Sequence, residues 1–399
     1  MDKYNSVPNI RFKGFEDEWR NLKLGELSEI ARGASPRPIN NKKWFSKNSK
    51  IGWLRISDVT EQNGRIFYLK QKLSIQGQKK TRVIKTKHLL LSIAATVGSP
   101  VINYIPTGVH DGFLIFYNPK FDIEFMFQWL QKYRKNWSKF GQPGSQVNLN
   151  SEIVRNQKVY IPEKKEERDI ANLFLKIDRL LDLQQQKINK LELLKKALLQ
   201  KLFPKHDTKI PELRFKGFED EWKSYLLGKI AVFINGRAFK QNELLDKGKY
   251  PVLRVGNFYT NDKWFYSDLE LPEKLYANKG DLLYTWSATF GPHIWKGDKV
   301  IYHYHIWKII FSSEVSKQFA LQMLLNDKEE LINNTNGSTM IHLTKNEMEK
   351  KVVKIPIKQE QQKIGSLLSK VDQLIELENK KLQNFQQVKK CLLQNMFVK

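Results

Sequence analysis

Residues 11–19 read RFKGFEDEW, and residues 214–222 read RFKGFEDEW again. Nine identities in a row within 399 residues mark an internal duplication, which sets the architecture before any local reading. The register extends outward, with Pro8 answering Pro211 and Leu24–Gly25 answering Leu227–Gly228. A second pair lies downstream. Residues 161–183 read IPEKKEERDIANLFLKIDRLLDL, and residues 355–377 read IPIKQEQQKIGSLLSKVDQLIEL. Asp178 then falls with Asp372, Lys195–Lys196 with Lys389–Lys390, and Phe203 with Phe397. Between these anchors the match is weak: Leu54–Arg55–Ile56 with Leu253–Arg254–Val255, Ala95–Thr96 and Gly98 with Ala288–Thr289 and Gly291, His110 with His303. One unit is written twice, alike at its edges and divergent within. Segments kept alike meet a common scaffold or common partners; segments that differ read different things.

From Lys164 to about Leu202 there is no proline or glycine, and Pro204 stops the run. Apolar residues recur at steps of three and four, which predicts one amphipathic helix here and a second in the later copy. Such a helix of about 40 residues is roughly 60 Å long. A stripe of that length exceeds what a small domain buries, so the two helices are expected to pack on each other as a coiled coil. The pairing positions are Ile170, Leu173, Ile177, Leu181, Ile188, Leu191 and Leu198 on the first, and Ile364, Leu367, Val371, Leu374, Leu382, Phe385 and Leu392 on the second. The pair would be a rigid spacer, long enough to set two contact sites about one DNA turn, roughly 34–36 Å, apart.

Lysine and arginine number 68 against 42 acidic residues, a net charge of +26, and 41% of the chain is hydrophobic. The chain therefore builds true cores and favours a polyanionic partner, nucleic acid first. The single cysteine, Cys391, forms no internal disulfide or zinc cage and reads as a packing residue. Residues 1–9 carry no apolar signal core, and no stretch approaches the run of about 18 apolar residues that a membrane helix requires. A cytoplasmic protein with no membrane partner is expected.

The divergent part of each copy mixes short β-branched and aromatic runs with helical ones. Residues 53–59, 89–94, 252–258, 282–286 and 306–311 read as strands, and residues 125–137 and 316–334 as helices. In the first copy residues 40–87 are densely basic, with aromatic residues interleaved. Clustered cations give salt-dependent phosphate affinity, and amides among them can read base edges. The candidates for DNA contact are Lys42, Lys43, Arg55, Lys79, Lys80 and Arg82, with Gln142, Ser145, Gln146 and Asn148 in a polar loop just upstream of the first long helix. In the second copy they are Arg237, Lys240, Arg254 and Asn257, with Asn336, Ser338 and Thr339 in the corresponding loop. A solvated lysine-rich surface and ordinary connecting loops are the competing reading of the same residues.

No GxxxxGK[ST] loop, no glycine fingerprint for a dinucleotide or methyl donor, and no Asn- or Asp-Pro-Pro-aromatic segment is present. On a strand His303 and His305 would share one face, which would suit a metal, but no third or fourth ligand is near in sequence to complete a site. No catalytic residue, metal or cofactor is therefore assigned.

The boundary segments resemble those of the specificity subunit of a type I restriction–modification enzyme. The resemblance is carried by Ile-Pro, then Glu, Ile and Asp at helical spacing (Pro162, Glu167, Ile170, Asp178; Pro356, Glu360, Ile364, Asp372), and by the arm starts at Gly25 and Gly228. Glu166–Glu167 departs slightly from the family's Glu-Gln, which Glu360–Gln361 keeps. The resemblance implies an α+β chain: target-recognition domains at residues 1–153 and 206–347, and conserved helices at 154–205 and 348–399 pairing as an antiparallel coiled coil with a pseudo-twofold repeat. It implies that each domain reads one half of a split double-stranded DNA target. It further implies that the helices hold two methyltransferase (modification) subunits, with restriction (motor and nuclease) subunits joining the complex, so that this chain is not itself an enzyme. Two other readings compete: a stand-alone methyltransferase or nuclease whose active site has gone unrecognised, and a basic coiled-coil scaffold.

Overall fold

A computed structural model describes residues 6–140, 149–205, 207–259, 261–287, 289–334 and 343–398. By its contacts the chain forms two units: residues 1–185 with 381–399, and residues 186–380. The fold is α+β. Two long helices, Lys164–Leu202 and Lys358–Asn395, are each divided between the units.

In the first unit, Arg20–Lys23 pairs antiparallel with Lys158–Ile161, Arg20 opposite Ile161. A five-stranded sheet runs in the order Glu29–Arg32, Phe113–Tyr117, His88–Ser92, Pro100–Asn103, Arg65–Ile66. Alternate side chains of a strand point to opposite faces, and both faces of this sheet are covered. Leu89, Leu91, Leu114 and Phe116 therefore join a core with Phe125, Phe127 and Phe174, whereas Leu90 and Ile115 join a second core with Leu54, Ile66 and Val101. A three-stranded sheet of Gly52–Trp53, Thr107–Val109 and Arg82–Ile84 completes the unit.

The second unit repeats the plan. Lys223–Leu226 pairs with Val352–Ile355. One four-stranded sheet runs Ala231–Asn235, Ile306–Phe311, Leu282–Thr285, Gly291–Ile294, and another Phe265–Ser267, Tyr250–Leu253, Val300–Tyr302, Tyr276–Ala277. Leu282 and Tyr284 face one core and Leu283 the other.

Two expected strands are shorter than their sequence suggested. Of residues 53–59 only Trp53 is in a strand, and Ile56–Glu61 is helical; after Tyr250–Leu253 the chain turns into a 3-10 helix at Val255–Phe258. In both places a side chain three residues on, Asp58 or Asn257, accepts the arginine N–H (Arg55 at 2.9 Å, Arg254 at 3.0 Å) and starts a helical turn.

The duplicated nonapeptide closes each unit over the start of a long helix. Arg11 donates to both oxygens of Glu166 at 2.7 and 2.9 Å, and the Trp19 indole N–H adds a third bond at 3.1 Å. Arg214 forks onto Glu360 likewise, at 2.9 Å to each oxygen, but among the described residues the buried Trp222 indole N–H makes no third bond. Both glutamates are buried, and a buried carboxylate is tolerated only when paired and hydrogen-bonded in this manner. The turn between clamp and tryptophan needs φ of +91° at Gly14 and +88° at Gly217, which explains the shared glycine.

Within each unit the long-helix segments pack antiparallel. In the first unit the Phe174 and Phe397 rings lie 5.9 Å apart, and Asp178 pairs with Lys389 at 2.6 Å. In the second, Lys187 pairs with Glu378 at 3.0 Å and Lys195 with Asp372 at 2.6 Å. Of the residues assigned to pairing, Ile170 is buried in the first unit, with Leu173, Ile177 and Leu392 half-buried against the same core, and Leu181 and Leu382 are half-buried. Ile188, Ile364 and Val371 are buried in the second, with Leu191, Leu198 and Leu367 half-buried there. Leu374 and Phe385 are exposed, so the stripe is wider than the contact it makes. Each helix start is also sunk in a globular core, Phe174 in one and Leu368 in the other, so a single stripe serves both the partner helix and the domain. Cys391 is exposed rather than packed.

Candidate nucleic-acid interface

Two of the weak matches, Leu54–Arg55–Ile56 with Leu253–Arg254–Val255 and His110 with His303, meet at one place in each unit. Gly52–Trp53 runs parallel to Thr107–Val109, and Tyr250–Leu253 runs parallel to Val300–Tyr302. Arg55 and His110 follow the ends of the first pair; Arg254 and His303 follow the ends of the second. Backbone bonds tie the strand ends together, Leu54 N–H to the Gly108 carbonyl at 3.2 Å and His303 N–H to the Leu253 carbonyl at 2.9 Å. The preceding glycines fit this crossing: a Cβ at Gly33 would lie 2.1 Å from the His110 carbonyl oxygen, and one at Gly236 would lie 2.4 Å from that of His303.

In the first unit a cleft of about 450 Å³ opens here, lined by Asn40, Lys42, Phe45, Trp53, Arg55, Gln71 and His110 among others. Trp53 is its aromatic wall, with Phe45 6.3 Å away and His110 5.6 Å away. Burial pushes His110 below the ordinary imidazole range, against the opposing charge of Asp111. Asp111 also takes the Arg37 guanidinium and the Ser35 hydroxyl, each at 2.6 Å. Lys42 and Lys43 sit on a 3-10 turn that Asn41 caps, and Ser74 donates to the Lys43 carbonyl at 2.6 Å. That bond brings the helix Ile75–Gln78, and with it Lys79 and Lys80, to the same sub-sheet. Arg82 lies opposite Val109, one residue before His110. The structure thus gathers all six cationic candidates of this copy. Arg55, however, is spent: the buried carboxylate of Asp58 takes its guanidinium at 2.9 and 3.2 Å.

In the second unit Arg237 forks onto Glu243 at 2.8 and 3.0 Å, and Lys240 is exposed beside it. Asn257 is used within its own loop, donating to the Asn261 and Lys263 carbonyls at 3.0 and 3.1 Å. Arg254 lies with its guanidinium carbon 4.3 Å from the centre of the Phe265 ring. Burial, helped by the charges of His305 and Arg254, pulls His303 down to about 4, so it is neutral at pH 7. Gln142, Ser145, Gln146, Asn148, Asn336, Ser338 and Thr339 lie outside the described residues.

Of the acids that neutralise three of these arginines, Asp58 is visible in the sequence as one of two acids, with Glu61, opposing the basic stretch, though its pairing with Arg55 goes unread, as do Asp111 and Glu243. Arg55 and Asp58 stand three apart, a spacing at which side chains meet on a helical turn, so that pair was visible in principle. Arg37–Asp111 is 74 residues apart and was not.

What stands here is a duplicated α+β protein with one cation-bearing, aromatic-backed surface per unit. The sequence pattern of the type I restriction modification DNA specificity domain matches residues 16–193 and again residues 219–387. The chain belongs to that family. The specificity subunit of the type I restriction enzyme MjaVIII of Methanocaldococcus jannaschii is 23% identical over 284 residues, 66% of this chain and 66% of that one. That of the Escherichia coli enzyme EcoBI is 24% identical over 159 residues, 38% of this chain and 34% of that one. This chain thus aligns with just under two thirds of the first relative's length and one third of the second's. A solved type I restriction–modification S subunit from M. genitalium shares the fold at a TM-score of 0.62 and 14% identity, over 98% of this chain and 99% of that one.

Proposed function

We propose that this specificity protein supplies the DNA address of a type I restriction–modification complex. Each unit takes one half of a bipartite double-stranded target, with residues 1–153 and 206–347 as the two recognition domains. The conserved helices, residues 154–205 and 348–399, set the gap and receive two methyltransferase subunits; motor and nuclease subunits join through the complex. The chain works in the cytoplasm and leaves methylation and cleavage to those partners. Among the described residues no helix is long and apolar enough to cross a membrane.

The observation that carries this reading is the repeated strand-end site. The same scaffold, from Gly33 or Gly236 to His110 or His303, presents different side chains in each unit. A kept frame with altered contents is what two half-specificities on one chain require. Phosphate contacts from the exposed lysines position such a protein, and base contacts specify it.

The test exchanges one arm. Residues 1–153 are replaced with those of another member of the family, the chain is expressed with its methyltransferase subunits, and methylated adenines are mapped by sequencing. One half of the target is expected to change and the other to persist. Change in both halves, or in neither, defeats the assignment; methyl transfer by this chain alone would favour a self-contained enzyme.

A further inference from the structure

The duplicated sequence equates Arg55 with Arg254, but the structure separates their roles. Arg55 meets Asp58, a buried carboxylate that occupies its fork at two points and cancels its charge. In the second unit the residue three on is Asn257. Its Oδ1 accepts the Arg254 backbone N–H at 3.0 Å, so the local turn is preserved while the carboxylate is gone.

Among the described residues no acid meets the Arg254 guanidinium, and its buried Nε has no hydrogen-bond partner. The group lies against the Phe265 ring instead, 4.3 Å from its centre. Stacking on an aromatic face fixes the plane of a guanidinium without consuming its edge donors. The neighbouring cation Arg237 is already forked onto Glu243, and Asn257 is bonded into its loop. Arg254 is therefore the half-buried, pre-oriented fork of this surface that retains its charge.

A planar fork with both edge donors free matches the O6 and N7 acceptors of guanine in the major groove, the commonest base-specific arginine contact. We propose that Arg254 reads a guanine in the half-target taken by the second unit, whereas Arg55 braces its own loop and reads no base. This rests on the DNA-recognition reading above and adds a base and a residue to it.

The test uses the full chain with its methyltransferase subunits in a host free of this modification, with methylated sites mapped by sequencing for the unaltered protein, R254A, R254K and R55A. The arm exchange identifies the second unit's half-target. There, R254A is expected to make one guanine position degenerate, its preference falling about 10- to 100-fold, with the other half unchanged. R254K weakens the same guanine preference, less than R254A does, because an ammonium group reaches O6 and N7 without the rigid planar fork; it also keeps the cation, and so carries the test should R254A fail to fold. R55A relaxes no base and lowers the melting temperature. If R254A and R254K keep every base and only reduce methylation evenly, Arg254 is a phosphate contact and the proposal is overturned. A half-target without guanine overturns it as well while leaving the two-arm reading intact; no bipartite methylation from the unaltered protein removes both.

Discussion

Glu167 and Gln361 hold the same position in the two copies and make the same bond. Each accepts the backbone N–H of the residue that precedes an arm helix, Asp122 for Glu167 and Ser316, at 2.8 Å, for Gln361. The departure from the family's Glu-Gln thus changes the charge at this point and not the contact. Burial lifts the Glu167 carboxyl above its ordinary value of 4.5, against the opposing Asp122 N–H bond and the Lys164 charge. A carboxyl raised on folding costs nothing where both states are protonated, below pH 4.5, and costs most above its raised folded value. Glu167→Gln should therefore raise the melting temperature by about 1–3 °C at pH 7, with the gain fading towards pH 4. A thermal scan at the two pH values checks this, and a lower midpoint at pH 7 would show that the Lys164 pair matters more than burial. Sequence alone exposed the departure at Glu167 but not its meaning, because Asp122 lies 45 residues away. The Arg11–Glu166 clamp was half legible: both residues stand in segments written twice, yet nothing local joins them.

At the scale of the helices, Asp178 and Asp372 were matched as copies, as were Lys195 and Lys389. The structure pairs them across, each aspartate with the lysine of the other helix, and adds a glutamine amide in each unit. Gln128 donates to Asp178 at 2.9 Å and Gln322 to Asp372 at 2.8 Å. The amphipathic stripe foretold that the helices would meet, because burial of a continuous apolar face is a local property of spacing. It did not foretell that Leu374 and Phe385 would be exposed, or that the first turns would sink into the domain cores, since both depend on what else competes for the stripe. The two junctions differ in one respect. Asp178 also holds Arg65 at 2.9 Å, and Arg65 is buried against Glu124 and Tyr104. Asp178→Asn and Asp372→Asn should each cost about 1–3 kcal/mol. Exchanging partners separates them: Asp372→Lys with Lys195→Asp should recover most of its loss, whereas Asp178→Lys with Lys389→Asp should recover little, because the new lysine faces Arg65. Double-mutant cycles by thermal denaturation decide between these, and equal recovery would mean that Arg65 finds Glu124 sufficient.

Across the whole chain the net charge of +26 said nucleic acid before any fold was in view, and the duplication said that the address has two parts. Charge count did not say which cations remain available, since pairing is a tertiary property. Arg37, Arg55 and Arg237 are neutralised by Asp111, Asp58 and Glu243. Lys79, Lys80 and Arg82 are exposed, and among the described residues no carboxylate meets them. A phosphate-bound cation releases counterions, so each true contact steepens the fall of log K with log salt by about 0.9. Replacing Lys79, Lys80 and Arg82 together by alanine should make that slope shallower by up to about 2.7, weakening binding without changing which sequence is preferred. Arg55→Ala, measured alongside, should leave the slope unaltered because its charge is already spent on Asp58. Binding of duplex DNA by the chain with its methyltransferase subunits, followed from about 50 to 200 mM salt, supplies the slopes. Should the triple variant retain the parent slope, these three side chains are solvated surface, and the long-range attraction has to come from the remaining exposed lysines, Lys42 and Lys43 first among them.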